Sequence, residues 1–250
     1  MRVAIIGAGN VGGTLGTAWA QKAGHEIFFG VRNPTSDRTQ AVVRRLDGRG
    51  RAGTPEQAAA FAQFIVLTTP WNAAEAAIRS MGDLNGKVIL DATNPLAMGP
   101  DGLTLAIGHS TSAGEKVQGW AKGASVFKTL NTTGFGNMAD PVFHGVGAAM
   151  FVAGDDAANK PKVVELVGAL GFEVVDAGPL RNAHLLEAHA MLWIDLALNR
   201  GLGRDFAFAL LRLNGSEGLL NFRRVHGFSR IANCANRVSR HGALAVSGSL

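Results

Sequence analysis

Short, nearly unbroken apolar runs alternate with stretches of helical period through the first two thirds of the chain. The runs at 3–7 (VAIIG), 26–30 (EIFFG), 64–70 (FIVLTTP), 88–95 (VILDATNP) and 125–131 (SVFKTLN) are rich in β-branched and aromatic residues and end in glycine or polar residues. A strand covered by helices on both faces has no wet side, so it reads as a continuous apolar run rather than an alternating one. Between the runs, residues 10–22, 73–81 and 114–122 place apolar side chains at helical spacing. Strand and helix in alternation predict an α/β fold built on a doubly wound parallel sheet of Rossmann type. AAMFVAG (148–154), a helix near 160–170 and FEVVDAG (172–178) extend it. The first domain is therefore expected to span residues 1–178.

From residue 181 the pattern changes. LLEAHAMLWIDLAL and DFAFALLRL are apolar at helical spacing and are broken at Gly201 and Gly203. They predict a small helical domain over 179–213. Residues 214–250 mix Gly, Ser, Asn and Arg without a sustained period, which predicts a basic, poorly ordered tail. That tail holds +4 of the chain's formal charge of +5, so the body is nearly neutral and the basic balance gives little reason to expect a nucleic-acid partner. The single cysteine, Cys234, cannot form an internal disulfide, and no Cys/His spacing suggests zinc. With no apolar run of membrane-spanning length and no leader-like segment, the expectation is a soluble cytoplasmic protein.

Candidate chemistry clusters where the strands end. Gly7, Gly9 and Gly12 form GAGNVG directly after the first strand and at the start of a helix. This is the context of a dinucleotide fingerprint: the first glycine permits the turn, the second lets backbone approach a pyrophosphate, and the third lets helix pack on strand. An NAD enzyme usually ends its second strand with an acid that binds the ribose hydroxyls. Here the residues are Gly30, Val31, Arg32 and Asn33. Arg32 would grip a 2′-phosphate that an acid would repel, so NADP is favoured over NAD, with Ser36 and Arg38 as further candidates. Thr68, Thr69, Pro70, Asn94 and Pro95 end later strands and are candidates for contact with the nicotinamide half. Ordinary turn chemistry also explains them.

What is missing narrows the reaction. The chain has no tyrosine, so a Tyr and Lys pair is excluded. Lys128 lies within an apparent strand, where ion pairing is the simple explanation. The seven histidines form no evident acid/base or metal constellation; His184 and His189 fall five apart on a helix, off one face. Hydride passed directly between two stacked cofactors needs proximity and little else, which suits this inventory and assigns no catalytic side chain.

The chain resembles the coenzyme F420-dependent NADP oxidoreductase family, which is related to the reductase domains of eukaryotic ferric reductases. The resemblance covers roughly residues 1–213. It is carried by GAGNVG, HEIFFGVRNP, LTTPW, DATNPL, KTLNTTGFGNMADP (128–141) and EAHAMLWIDLALNRGLGRDFAFALLR (187–212), the last two being the most specific. It implies hydride transfer between NADP(H) and a deazaflavin, coenzyme F420. It also implies NADP contacts from Asn10, Val11, Arg32, Thr69 and Pro70, and a deazaflavin pocket lined by the loop 131–138, with Asn131, Thr132 and Met138, and by the helix of Trp193. A helix core or a subunit interface accounts equally well for Trp193, Met191 and Phe206. Val31 stands where the family commonly has a hydroxyl residue, and the pattern stops near Leu213. The family implies a homodimer through the helical region. Two alternatives remain open: NADPH-dependent reduction of another small acceptor (a flavin, an imine, or a hydroxy or keto acid), and a non-catalytic NADP-binding sensor.

Overall fold

The computed structural model describes residues 1–100 and 102–212. The expectations for the tail beyond residue 212, Cys234 included, lie outside the described residues. The elements follow in chain order: β1 (Arg2–Ile6), α1 (Asn10–Ala23), β2 (Glu26–Gly30), α2 (Asp37–Arg44), β3 (Gly50–Gly53), α3 (Pro55–Phe61), β4 (Phe64–Leu67), α4 (Trp71–Arg79) and β5 (Val88–Asp91). A hairpin of β6 (Leu96–Gly99) and β7 (Gly102–Leu105) precedes α5 (Ala113–Trp120), β8 (Ser125–Lys128) and α6 (Phe135–Ala139). The small hairpin of β9 (Val142–Phe143) and β10 (Val146–Gly147) leads to β11 (Ala149–Gly154), α7 (Lys160–Gly168), β12 (Glu173–Asp176), a 3-10 turn (Leu180–Asn182) and α8 (Ala183–Leu198).

Eight strands form one sheet in the order β12-β11-β8-β5-β4-β1-β2-β3. From β3 to β8 every pairing is parallel, the doubly wound order, in which the winding reverses between β1 and β4. The expectation of parallel pairing fails at one seam: β11 runs antiparallel to β8, while β12 is parallel to β11. The β9–β10 hairpin lies between α6 and β11, so no helical crossover connects β8 to β11 directly.

Both faces of the sheet are covered, as the unbroken apolar runs require. Val3, Ile5, Val66, Leu90 and Phe127 point to one face, where they join Leu15 and Trp19 of α1 and Leu166 of α7. Ala4, Ile6, Ile65, Leu67, Ile89 and Val126 point to the other, with Ala58 of α3, Ile78 of α4 and Val117 of α5. The Trp19 indole donates to the carbonyl of Leu166 at 2.8 Å, joining α1 to α7. Residues 1–210 form one compact unit in which α8 packs on α5.

The helix expected over 205–213 is absent from the described residues. Segment 201–212 carries no helix, although its apolar positions have helical spacing. Its carbonyls are engaged elsewhere. Asn137 Nδ2 donates to Arg204 O and Phe206 O, the Trp193 indole donates to Phe206 O, and Ala149 N donates to Phe208 O.

Candidate cofactor site

β1 ends at Ile6, and the chain turns at Gly7 with φ +108°, a conformation glycine adopts without strain. A Cβ built on Gly12 would stand 2.1 Å from Gly7 O and 2.7 Å from Thr68 Oγ1, so only glycine lets α1 lie this close to the turn. Thr68 Oγ1 lies 3.0 Å from Ile6 O and 3.2 Å from Gly7 O, and as donor it holds the end of β4 against the glycine loop. Gly9 differs: a Cβ there would meet nothing within 4 Å. The space beside it lies outside the chain.

The start of α1 is built to receive an anion. Ser36, Thr54 and Ser112 cap α2, α3 and α5 with side-chain oxygens. Gly9 caps α1 with none, and its first turn holds no acid. Free N–H groups and the positive end of the helix dipole therefore face open space. α4, entered through Pro70, likewise has no side-chain cap.

These features share one cleft of about 600 Å³ at the β1/β4 switch point, lined by Gly7, Gly9, Val31, Arg32, Ser36, Arg38, Thr69 and Pro70 among others. Arg32 and Arg38 are its charged lining residues, with no acid, histidine or lysine among them. Ser36 Oγ contacts the hydroxyl of Thr39 at 2.9 Å and accepts from Thr39 N, so the turn that presents Arg32 is tied down. Thr69 Oγ1 is buried without a hydrogen-bond partner, an arrangement that costs about 1–3 kcal/mol unless a bound group supplies one. The cradle at Gly9, the open helix end, the unpartnered hydroxyl and the paired arginines all fit a dinucleotide carrying an extra phosphate.

The other residues singled out in the sequence divide. Asn10, exposed, and Val11, half-buried, open α1 beside the cleft, and Gly12 lies beneath it. Asn94 and Asn131 stand further along the same sheet edge, after β5 and β8. They bond to each other: Asn94 Nδ2 to Asn131 O at 2.9 Å, and Asn131 Nδ2 to Asn94 Oδ1 at 3.1 Å. Thr132 is buried, with its hydroxyl 3.6 Å from Met150 Sδ, and Met138 of α6 is buried in the core. Trp193 is brought against the same loop: a Cβ on Gly134 would meet its ring at 2.6 Å, and the indole stacks on Phe206 with centroids 5.3 Å apart.

Lys128 is fully buried and ion-paired to Asp91 at 2.9 Å and Glu187 at 3.1 Å. The pairing of Lys128 was expected from its strand position. Its partners were missed, although an acid ending an apolar strand and an acid inside an apolar helix each signal buried charge.

Fold and cleft together define a dinucleotide-dependent oxidoreductase of the Rossmann class. The family model described as NADP oxidoreductase, coenzyme F420-dependent, matches residues 2–95. A crystal structure from Arthrobacter sp. FB24, provisionally named an F420-dependent NADP-reductase, is 31% identical with a TM-score of 0.77, over 85% of this chain and all of that one. A hypothetical protein from Sinorhizobium meliloti is 25% identical with a TM-score of 0.65, over 73% of this chain and 88% of its own. An imine reductase from Bacillus cereus, at 15% identity and a TM-score of 0.57, covers 80% of this chain and 62% of its own and shares the fold. The chain belongs to the F420-dependent NADP oxidoreductase family and is an NADP-dependent oxidoreductase. No helix among the described residues is long and apolar enough to cross a membrane.

Proposed function

We propose that this enzyme passes a hydride directly between NADP(H) and the deazaflavin coenzyme F420, in the cytoplasm and as a homodimer. One observation carries the reading. Along the sheet edge from Gly7 to Asn131 the chain offers backbone amides, hydroxyls, carboxamides and two arginines, while Lys128 has its ammonium group committed to Asp91, Glu187 and the carbonyl of Thr93. Reduction of a carbonyl or imine calls for a proton delivered at the reacting atom. Transfer between two rings calls chiefly for apposition.

In this reading residues 1–178 bind the nucleotide. Arg32 and Arg38, with Ser36, hold the 2′-phosphate; the amides opening α1 at Asn10 and Val11 hold the pyrophosphate; and Thr69, Pro70, Asn94 and Asn131 hold the nicotinamide half. Residues 179–213, with Trp193, and the loop carrying Thr132 and Met138 wall the second ring. NADPH supplies the hydride from its nicotinamide C4. The half-exposed leucines of α8, Leu185, Leu192 and Leu198, support pairing with a second copy. The test is absorbance of oxidised F420 mixed with enzyme and NADPH, with FMN and NADH as parallel arms. Bleaching that is fast with NADPH and slow with NADH supports the reading. No bleaching despite tight NADPH binding overturns it.

A further inference from the structure

Behind the strand ends, the described residues bury one lysine and two acids completely: Lys128, Asp91 and Glu187. The ammonium group of Lys128, at the end of β8, meets Asp91 Oδ2 at the end of β5, the carbonyl of Thr93 just after it, and Glu187 Oε1 on α8. Lys128 thus donates to Asp91 and to the Thr93 carbonyl and pairs by charge with Glu187, tying the end of β5 to α8. Two carboxylates face one ammonium, and the remainder is met by N–H groups and by the Thr93 hydroxyl, which donates to Asp91 at 2.7 Å. Thr93 N donates to Asp91, and Ala113 N and Gly114 N, in the first turn of α5, donate to Glu187 at 3.0 and 3.1 Å.

The connections close into a ring. Thr93 leads along the chain to Asn94, Asn94 bonds to Asn131, Asn131 Nδ2 donates to Leu186 O at 3.2 Å, and Leu186 leads to Glu187, back to Lys128. One acceptor of the ring is unused: Asn131 Oδ1, buried and without a hydrogen-bond partner. A buried ion cluster of this kind adds little stability over apolar packing of equal volume, but its directional bonds fix geometry.

We propose that Lys128 is a positioning residue. Held between Asp91 and Glu187, it fixes Asn94 and Asn131 on the strand ends, and with them the seat of the nicotinamide half, at a set distance from α8. The proposal rests on the reading above that this edge receives that half of the dinucleotide. The sheet order supports the placement, since a dinucleotide with its 2′-phosphate over β2 and its pyrophosphate over β1 runs on toward β4, β5 and β8. Misplacement by a fraction of an ångström there matters, because about 1 Å can cost about a hundredfold in a reacting geometry.

The experiment compares two ligands on each protein by calorimetry: NADP⁺, and adenosine 2′,5′-bisphosphate, which lacks the nicotinamide half. Wild type is expected to bind NADP⁺ more tightly. In Lys128→Met the bisphosphate affinity stays as in wild type while the NADP⁺ advantage shrinks by about tenfold. Glu187→Gln, nearly isosteric, gives the same signature more weakly and serves if Lys128→Met does not fold. A lower melting temperature with the advantage intact, or equal weakening of both ligands, overturns the positioning role. Equal affinities in wild type overturn the nicotinamide seat itself, and the F420 reading is tested separately by bleaching.

Discussion

Gly9, which caps α1, and Gly12, in its first turn, owe their identity to different neighbours. At Gly12 the obstacle is the chain's own backbone, so Gly12→Ala is expected to cost about 3 kcal/mol in denaturant unfolding. At Gly9 a methyl group has room, and Gly9→Ala should unfold within about 0.5 kcal/mol of wild type. The same methyl group would stand where the pyrophosphate must approach, so its NADPH affinity should fall about tenfold in a fluorescence titration. A Gly9→Ala protein that binds NADPH normally would place the pyrophosphate elsewhere. If Arg32 holds the 2′-phosphate as proposed, Arg32→Ala removes charge-assisted bonds worth about 1.5–3 kcal/mol, which raises the NADPH dissociation constant about 10- to 100-fold and leaves that of NADH nearly unchanged. The turn at Gly7, the close approach at Gly12 and the place of Arg32 beside the cleft were legible because a turn, a close approach and a strand end are local events. The partners of Lys128 were not, since Asp91 and Glu187 lie far from it in sequence and only the fold brings them together.

Elements buried on both sides announced themselves; those at the rim did not. β1, β4 and β5 are runs of apolar residues and were found, whereas β3 is the edge strand GRAG and α2 is the mostly polar DRTQAVVR with two buried residues. Segment 201–212 misled in the opposite direction, for only Phe206, Ala207 and Phe208 become partly buried, as irregular chain beside α8 and β11, while Leu202 and Leu210 stay exposed. Asn137 anchors that chain. Asn137→Ala should lower stability by about 2 kcal/mol and expose the segment to limited proteolysis near Arg204. His189 lies in the aromatic cluster beneath it, 5.3 Å from the Phe151 ring and 4.5 Å from that of Phe208. Burial holds its pKa below the usual histidine value, so the unfolded chain takes up a proton first as pH falls. Stability is therefore full above the unfolded value of about 6.5 and declines as pH drops through it toward the folded value. His25, lowered chiefly by burial and then by the N-terminal ammonium, acts in the same direction. Melting temperatures measured from pH 7.5 to 5.5 should fall, and His189→Phe should fall less. An unchanged slope would clear His189 of the effect.

For the molecule as a whole, the order of the sheet decides where chemistry gathers. The winding reverses between β1 and β4, and at that point the glycine loop, Thr68–Pro70 and the two arginines meet in one cleft. Strand and helix alternation made that architecture readable, while the antiparallel seam at β11 depends on a small hairpin too short to leave a sequence pattern. Association belongs to this scale too. The proposed pairing through α8 predicts that Leu192→Asp, which puts a charge beside exposed Leu185, yields a monomer by light scattering where wild type is a dimer, with NADPH affinity kept. A monomeric wild type would remove that face from consideration. The open first turn of α1 has a consequence of another kind. Amides without an acceptor surrender their protons to solvent readily, so the opening residues of α1 should be the fast-exchanging spot in deuterium labelling of an otherwise slow-exchanging helix. Saturating NADP⁺ should quench that exchange and, at about a hundred times its dissociation constant, add about 2.7 kcal/mol to the unfolding free energy. The helix end left unfinished by the chain would then be completed by its cofactor, making nucleotide supply a determinant of how long the enzyme survives.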